Sequence, residues 1–506
     1  MIVAAPGVPY EMRIWMNAVR VFGRLKATAN RTFLGENLRA RAARGGAWLG
    51  CGSFAEQVSR FARNMLLTRL LAPNAFGTMA IVLSSQALVS SFSDLGVWPA
   101  VIQNPRGGED TYLNAAWWFG LCRAVFIYAI IFVAAPWISS FYGNADLSKL
   151  LRVALLSIVL DGLLSPRAKL AQKEMKFSRW AFITNGGAIC GVILTIVLSF
   201  VLRDVWALAI GYCGENAFRC LLSYILCPGL PSLKWDRHAF QDLMKFSKGM
   251  VGLSFLNLIF ARSDIFVLGK LYSPAVLGLY TMAVFLVQAP SGFIVNMLST
   301  TLLPAFSHVQ ADKDRVNRML SEVTSWVILL GLPAVAMIWL CGPSLLTITY
   351  GARYAAGAAA LTLAAGVALL NTLNSQVTLL FYAAGRPALH RRAVTASAIV
   401  MMIAIYPACK YMGLLGGQIA ALLAIATSYL LQIVRARRIT GLSVLQYGRA
   451  FVPATLVSAG VLIVGVGVRF LGLATRPLHN IAVAAAACIV AYALSVPAFM
   501  KIREIA

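Results

Sequence analysis

From about residue 46 to residue 500 the chain is written in long apolar runs broken by short polar turns. Approximate runs are 46–71, 75–102, 112–141, 149–168, 179–202, 205–227, 247–271, 276–305, 319–342, 356–384, 392–411, 414–434, 450–472 and 479–500. A helix that crosses the hydrocarbon core needs roughly 20 apolar residues. Lipid offers no partner for backbone N–H and C=O groups, so runs of this length form helices rather than open strands. The pattern predicts an all-α, polytopic membrane protein with about 14 transmembrane helices.

One stretch occurs twice. Arg69-Leu70-Leu71-Ala72-Pro73-Asn74-Ala75-Phe76-Gly77 returns as Lys270-Leu271-Tyr272-Ser273-Pro274-Ala275-Val276-Leu277-Gly278. Each copy ends an odd-numbered apolar run and opens the next. The two halves therefore cross the bilayer in the same sense, related by an axis along the membrane normal, which is the symmetry of a transporter with a cleft between two lobes.

Composition agrees, with 59% hydrophobic and 12% charged residues. A net charge of +26 is the kind of value that points to nucleic acid, but its placement makes it a topology signal instead. With the amino terminus in the cytoplasm, eight Lys and Arg lie in the stretch to Arg44 and twenty-two in the later cytoplasmic turns and carboxyl end. They include Arg167, Lys169, Lys173, Lys176 and Arg179, and Arg435, Arg437 and Arg438. The opposite side holds nine, among them Arg69, Lys149, Arg152, Lys270 and Arg353. This asymmetry in short loops predicts that both termini are cytoplasmic and favours an even number of helices. Residues 1–45 lack an apolar core long enough for a cleavable signal, so the first spanning helix is expected to act as the targeting element. The basic stretch itself reads either as a segment lying on anionic lipid or as an over-extended start.

Five arginines remain beyond those assigned to the two sides, and all fall inside the runs: Arg60, Arg63, Arg123, Arg219 and Arg262. Their acidic company is Glu56, Asp94, Asp161, Glu215 and Asp264. Such groups cost about 2.5–3.5 kcal/mol each at a helix centre on insertion scales, so they should face a bundle interior or a wet cavity. Later helices carry no comparable charge except Glu322, which makes the ionic surface lopsided towards the first half. Glu56, Arg60 and Arg63 share one helix face, and Glu215 and Arg219 are four residues apart. The spacing admits both a closed ion pair and a cavity wall. Arg262 and Asp264 point roughly 200° apart on a helix, so each needs another partner; for Asp264 an interhelical or gating role and cation coupling both remain open. Arg60, Arg63 and Arg123 exceed the acids near them, and guanidinium groups suit phosphate and diphosphate through paired hydrogen bonds. Arginines also pin helices together, and spacing alone does not separate the two uses.

In Thr68-Arg69-Leu70-Leu71-Ala72-Pro73 with Phe76-Gly77, in Arg262-Ser263-Asp264 and in a series of further motifs in order along its length, the chain resembles the polysaccharide transporters, or oligosaccharide flippases, of the multidrug/oligosaccharidyl-lipid/polysaccharide exporter superfamily, the branch of colanic-acid-type exporters in particular. The likeness rests on Thr68 to Pro73 with Phe76-Gly77, Phe92-Ser93-Asp94-Leu95-Gly96 with Ile102-Gln103, and Gln172 to Phe177. It continues in Arg262-Ser263-Asp264, Gly278-Leu279-Tyr280 with Ala283, Leu303-Pro304-Ala305-Phe306, and Tyr350-Gly351 before Tyr354. The resemblance implies two pseudo-symmetric six-helix bundles, residues 46–230 and 247–440, around a central cavity. A cytoplasmic linker at 231–246 would join them, helices 13 and 14 would fill 441–506, and a basic tail would occupy 1–45. It further implies movement of a polyprenyl-pyrophosphate-linked oligosaccharide from the cytoplasmic to the periplasmic leaflet of the bacterial inner membrane, by alternating access. Membrane lipids, a polymerase and glycosyltransferases would be partners. The long amino-terminal stretch departs from the family pattern.

On this reading Arg60, Arg63, Arg123, Arg219 and Arg262 receive the pyrophosphate, and Glu56, Asp94, Asp161, Glu215 and Asp264 serve ion coupling or gating. Gly186, Gly187, Gly191, Gly249, Gly252, Gly413, Gly416 and Gly417 allow close helix packing, and Pro290 and Pro333 are candidate kinks. Catalysis finds little support: His238, His308, His390 and His479 have no partner at metal-ligand spacing, the nine cysteines form no CxxC pair, and no phosphate-binding glycine loop occurs. No cofactor is expected; a proton or sodium gradient and the removal of product on the far side are the candidate energy sources. Two other readings stay open. A cation-coupled multidrug exporter of the same superfamily should prefer acidic cavity residues. A membrane-bound polymerase or ligase should carry a large outer loop, whereas the longest outer turn here is about Pro343 to Ala355. A lipid II flippase is a near relative in shape.

Overall fold

The computed structural model describes residues 38–92, 104–174, 177–232, 253–449 and 451–470, with short pieces at 101, 240–241, 477, 479, 481–486 and 488–489. Asp94, the linker and most of the fourteenth run lie outside the described residues. The first half holds α1 (Leu38–Leu70), α2 (Pro73–Phe92), α3 (Asp110–Tyr142), α4 (Asp146–Ala154), α5 (Leu156–Gly162), α6 (Pro166–Lys173), α7 (Phe177–Leu202) and α8 (Val205–Leu226). The second holds α9 (Leu253–Leu271), α10 (Pro274–Val309), α11 (Lys313–Tyr350), α12 (Ala358–Ala383), α13 (Pro387–Met412), α14 (Leu414–Thr440), α15 (Val444–Arg449) and α16 (Val452–Phe470). Among the described residues there is no strand, and eight helices are long and apolar enough to cross a membrane. The chain is an all-helical, multi-pass membrane protein. Helices α1, α8 and α9, which carry Glu56, Arg60, Arg63, Glu215, Arg219, Arg262 and Asp264, are not among those eight, whereas α3, with Arg123, is.

Local chemistry sets the helix ends. Asp204, Ser273 and Asp312 cap α8, α10 and α11 through side-chain oxygens that accept from the first free backbone N–H groups. Gly143 and Gly441 end α3 and α14 in the left-handed conformation. Three boundaries differ from the sequence reading. Helix α1 begins at Leu38, eight residues inside the expected tail, because Leu38 to Ala47 contains good helix formers that continue the run. The fourth run is broken into α4 and α5 at Leu155. The expected outer turn from Pro343 to Ala355 is mostly helix: α11 passes through Pro343 to Tyr350, and a short 3₁₀ helix spans Ala352–Gly357.

The two copies of the repeated stretch meet. Helices α2 and α10 start beside one another, and each is opened by proline. A Cβ placed on Gly77 would stand 1.8 Å from the Pro274 carbonyl oxygen, and one on Gly278 would stand 1.9 Å from that of Pro73. The contact is reciprocal, backbone against backbone. Around it a single core draws on both halves, from Leu67, Phe76 and Ile81 to Leu268, Leu277, Tyr280, Tyr350 and Tyr354. Phe76 and Tyr354 stack edge to face at 6.4 Å, and Arg69 donates to the Ile348 carbonyl.

At the opposite end the cores are separate. Leu302, Phe306, Leu320, Leu373 and Phe381 build one within the second half. Two smaller ones, around Tyr112 and Phe119 and around Ala168 and Ile183, belong to the first half. Among the described residues the halves thus share a hydrophobic core at the repeat end only.

Candidate functional site

Ten residues back from its end at Leu70, α1 carries Arg60; ten residues on from its start at Val205, α8 carries Glu215. At 1.5 Å per residue each lies about 15 Å from the repeat end, near the middle of a hydrocarbon layer about 30 Å thick. The two side chains meet there. Arg60 Nη2 lies 2.7 Å from Glu215 Oε1, and Arg219 Nη2 reaches the same oxygen at 2.7 Å. Glu56 Oε1 accepts from Arg60 Nε at 3.0 Å and stands 3.7 Å from Arg219 Nη2. Four charges form one network in two layers. Glu215 is 2% exposed and anchors both guanidinium groups from behind, whereas Arg60, Arg219 and Glu56 keep 26, 23 and 28% of their side-chain surface open.

Helix α7 makes room for this arrangement. A Cβ on Gly191 would lie 2.4 Å from that of Glu215, and one on Gly187 would lie 2.2 Å from Arg219 Cγ. Gly211 and Gly214 return the contact against Thr195 and Leu194. The glycines set α7 and α8 close together and turn the charged pair towards α1. Tyr212 lies one turn before Glu215 on α8 and is half-buried. Arg219 Nε is buried with no hydrogen-bond partner, so the network leaves one guanidinium N–H unpaired.

The other expected residues divide. Arg63 is half-buried one turn along α1, and its Nε meets only the Asn64 amide oxygen, at 3.3 Å. Arg123 sits half-buried in mid-α3. Asp161, in α5, is exposed. Spacing paired Glu56 with Arg60 and Glu215 with Arg219 along their own helices; the structure joins both pairs across 155 residues. Arg60 is therefore not surplus positive charge, and Arg63 is the arginine beside the network that has no carboxylate hydrogen-bonded to it.

Arg262 is half-buried on α9, two residues before Asp264. Asp264 is buried; its Oδ2 accepts from Tyr280 Oη at 2.6 Å, and its Oδ1 accepts from the Ile265 N–H. Gln418 donates to the same tyrosine oxygen at 2.6 Å, which ties α9, α10 and α14 together, while Gly417 gives the ring its space. Sequence reasoning, which followed charges, missed Tyr280 and Gln418. It also missed a buried neutral seam in the second half. There Thr324 bonds Gln376 and Tyr447, Thr378 bonds His390 and Gln432, and Ser428 bonds Asn374. Amides inside otherwise apolar runs were the available signal, since each must find a partner in lipid. Among the described residues no group of His, Cys, Asp and Glu could hold a metal ion.

Residues 66–359, more than half of the chain, match the family described as polysaccharide biosynthesis protein. Among similar curated proteins are the lipopolysaccharide biosynthesis protein WzxC of Escherichia coli, 21% identical over 63% of this chain, and the succinoglycan biosynthesis transport protein ExoT of Rhizobium meliloti, 21% identical over 58%. The matched regions span 65% and 60% of those relatives' own lengths, just under two thirds. Among solved structures, the lipid II flippase MurJ in an inward closed conformation shares the fold, with a TM-score of 0.71, 13% identity and coverage of 89% of this chain and 99% of its own. An inward-facing multidrug resistance transporter of the MATE family, in the MOP superfamily, follows at 0.58 and 15%, covering 77% and 96%. Several of the motifs that suggested the family lie in the interior, with Gly77 and Gly278 in the crossing, Asp264 and Tyr280 in one hydrogen bond, and Tyr350 and Tyr354 in the shared core. The chain belongs to the polysaccharide biosynthesis protein family.

Proposed function

We propose that this protein is a flippase that carries a polyprenyl-pyrophosphate-linked oligosaccharide from the cytoplasmic to the periplasmic leaflet, and that it is not an enzyme. The observation that carries the reading is the network of Arg60 and Arg219, with Arg63 beside it, at mid-membrane depth and a quarter open on one side. A sugar and diphosphate head cannot cross hydrocarbon alone, because unpaired polar and charged groups cost many kcal/mol there. Guanidinium groups held by a buried carboxylate offer a diphosphate fixed donors at the depth where that cost is greatest. Arg123 and Arg262 complete the proposed basic lining.

The Lys and Arg distribution supports placement in a bacterial inner membrane with both termini cytoplasmic. The repeat end then faces outward. In that orientation the Gly77–Gly278 crossing closes the outer side, and the halves part towards the cytoplasm. Asp264, bridged through Tyr280 to Gln418, is the proposed place for gating or for coupling to a proton or sodium gradient, with Asp94 and Asp161 as further candidates. Polymerase and glycosyltransferases are the proposed functional neighbours, since one must consume and the other supply such a cargo.

The test is to delete the gene, extract polyprenyl-linked lipids and identify what accumulates on the cytoplasmic leaflet. A completed oligosaccharide on polyprenyl diphosphate is expected. Unchanged lipid intermediates together with altered sensitivity to cationic drugs would overturn the reading in favour of a multidrug exporter.

A further inference from the structure

The two glutamates of the network hold different positions. Glu215 lies behind the guanidinium groups, 2% exposed, with both Nη2 atoms on one of its oxygens. Glu56 lies on the open side, 28% exposed, and is itself an oxyanion at hydrogen-bond distance from Arg60 and within 3.7 Å of Arg219. Any anion that reached these arginines from the open side would come within reach of Glu56 as well, since all three side chains are open to a similar degree. Charge points the same way. Arg60, Arg63 and Arg219 set against Glu215 alone leave two positive charges to meet a diphosphate; with Glu56 in place only one remains.

We propose that Glu56 is an internal competitor: in the empty protein its carboxylate stands where the diphosphate of the cargo docks, and the cargo binds by displacing it. This rests on the proposed function and adds a residue that limits affinity. A transporter must release what it carries, and a tethered carboxylate four residues from Arg60 on the same helix is always at hand to retake the site. Glu215 has the opposite task, keeping Arg60 and Arg219 aimed at one point. The unpaired Nε of Arg219 shows that the resting network does not use every donor it has.

The experiment uses the full chain purified in detergent and measures binding of farnesyl diphosphate, with farnesyl monophosphate as the comparison. Glu56→Gln is expected to bind the diphosphate about tenfold more tightly than the unaltered protein, with a smaller gain for the monophosphate. Glu215→Gln is expected to bind it at least tenfold more weakly. Glu56→Asp, which withdraws the carboxylate by one methylene, should fall between Glu56→Gln and the unaltered chain, and serves if the glutamine variant does not fold. Diphosphate binding that is unchanged or weaker in both Glu56 variants overturns the proposal while leaving the cargo reading intact. Binding by Glu56→Gln alone supports it. No diphosphate binding by any of these proteins overturns both.

Discussion

A single methyl group is enough to test the ionic site from behind. Because a Cβ on Gly191 would lie 2.4 Å from that of Glu215, Gly191→Ala must push α7 and α8 apart, at a cost of about 1–3 kcal/mol. Thermal unfolding of the purified variant should show the loss, whereas Gly120→Ala, which meets nothing within 4 Å, should leave the midpoint near its original value. Glu215→Ala is more damaging. It strips the common acceptor from two partly buried guanidinium groups, and breaking such a network costs about 3 kcal/mol or more; the expected result is a sharp fall in the amount of protein in the membrane. At the second polar centre, Tyr280→Phe removes the one oxygen that joins Asp264 to Gln418 and should lower stability by about 1–3 kcal/mol. A midpoint equal to that of the unaltered protein would mean that the two side chains find other partners.

Elements show what the residue order makes legible. The runs of apolar residues place nearly every long helix, since twenty such residues in lipid have one satisfactory backbone arrangement. Glu56 with Arg60, and Glu215 with Arg219, can be read as neighbours because four residues make one turn. Their union is not legible, for nothing in the spacing says that α1 and α8 face each other; that follows from how Gly187 and Gly191 let α7 sit against α8. The neutral seam is hidden for a related reason. Thr, Gln and Asn lower the hydropathy of a run only slightly, and their partners lie on other helices. The break between α4 and α5 also escapes, because the fourth run contains no proline or glycine at Leu155 to announce it. At this scale Gly77→Ala and Gly278→Ala should each prevent α2 and α10 from closing, since the added atom would fall within 2 Å of a carbonyl oxygen. A cysteine introduced at Ala75, now buried, should then become open to a membrane-impermeant maleimide applied from outside. Continued protection in both variants would show that the crossing relaxes without opening.

For the whole molecule, the distribution of cores matters more than any one contact. One core is shared at the repeat end, while towards the other end the described halves keep separate cores and touch through Phe54 and Phe293, whose rings meet edge to face at 5.6 Å. The direction of that asymmetry in the membrane is a topology question with a simple measurement. A cysteine replacing Arg353 should react with an impermeant reagent added to intact cells, and one replacing Arg437 should react only after the membrane is opened. The reverse pattern would invert the proposed direction of transport.

The crossing of α2 and α10 has a further meaning. Pro73 touches Gly278 as Pro274 touches Gly77, which is the rule of an isologous interface: what residue i does to j, j does to i. Two identical subunits meet in this way across a twofold axis. The chain keeps such an interface inside one polypeptide, so a change in either copy is felt by the other, and the two positions are expected to vary together through descent as a single inherited trait.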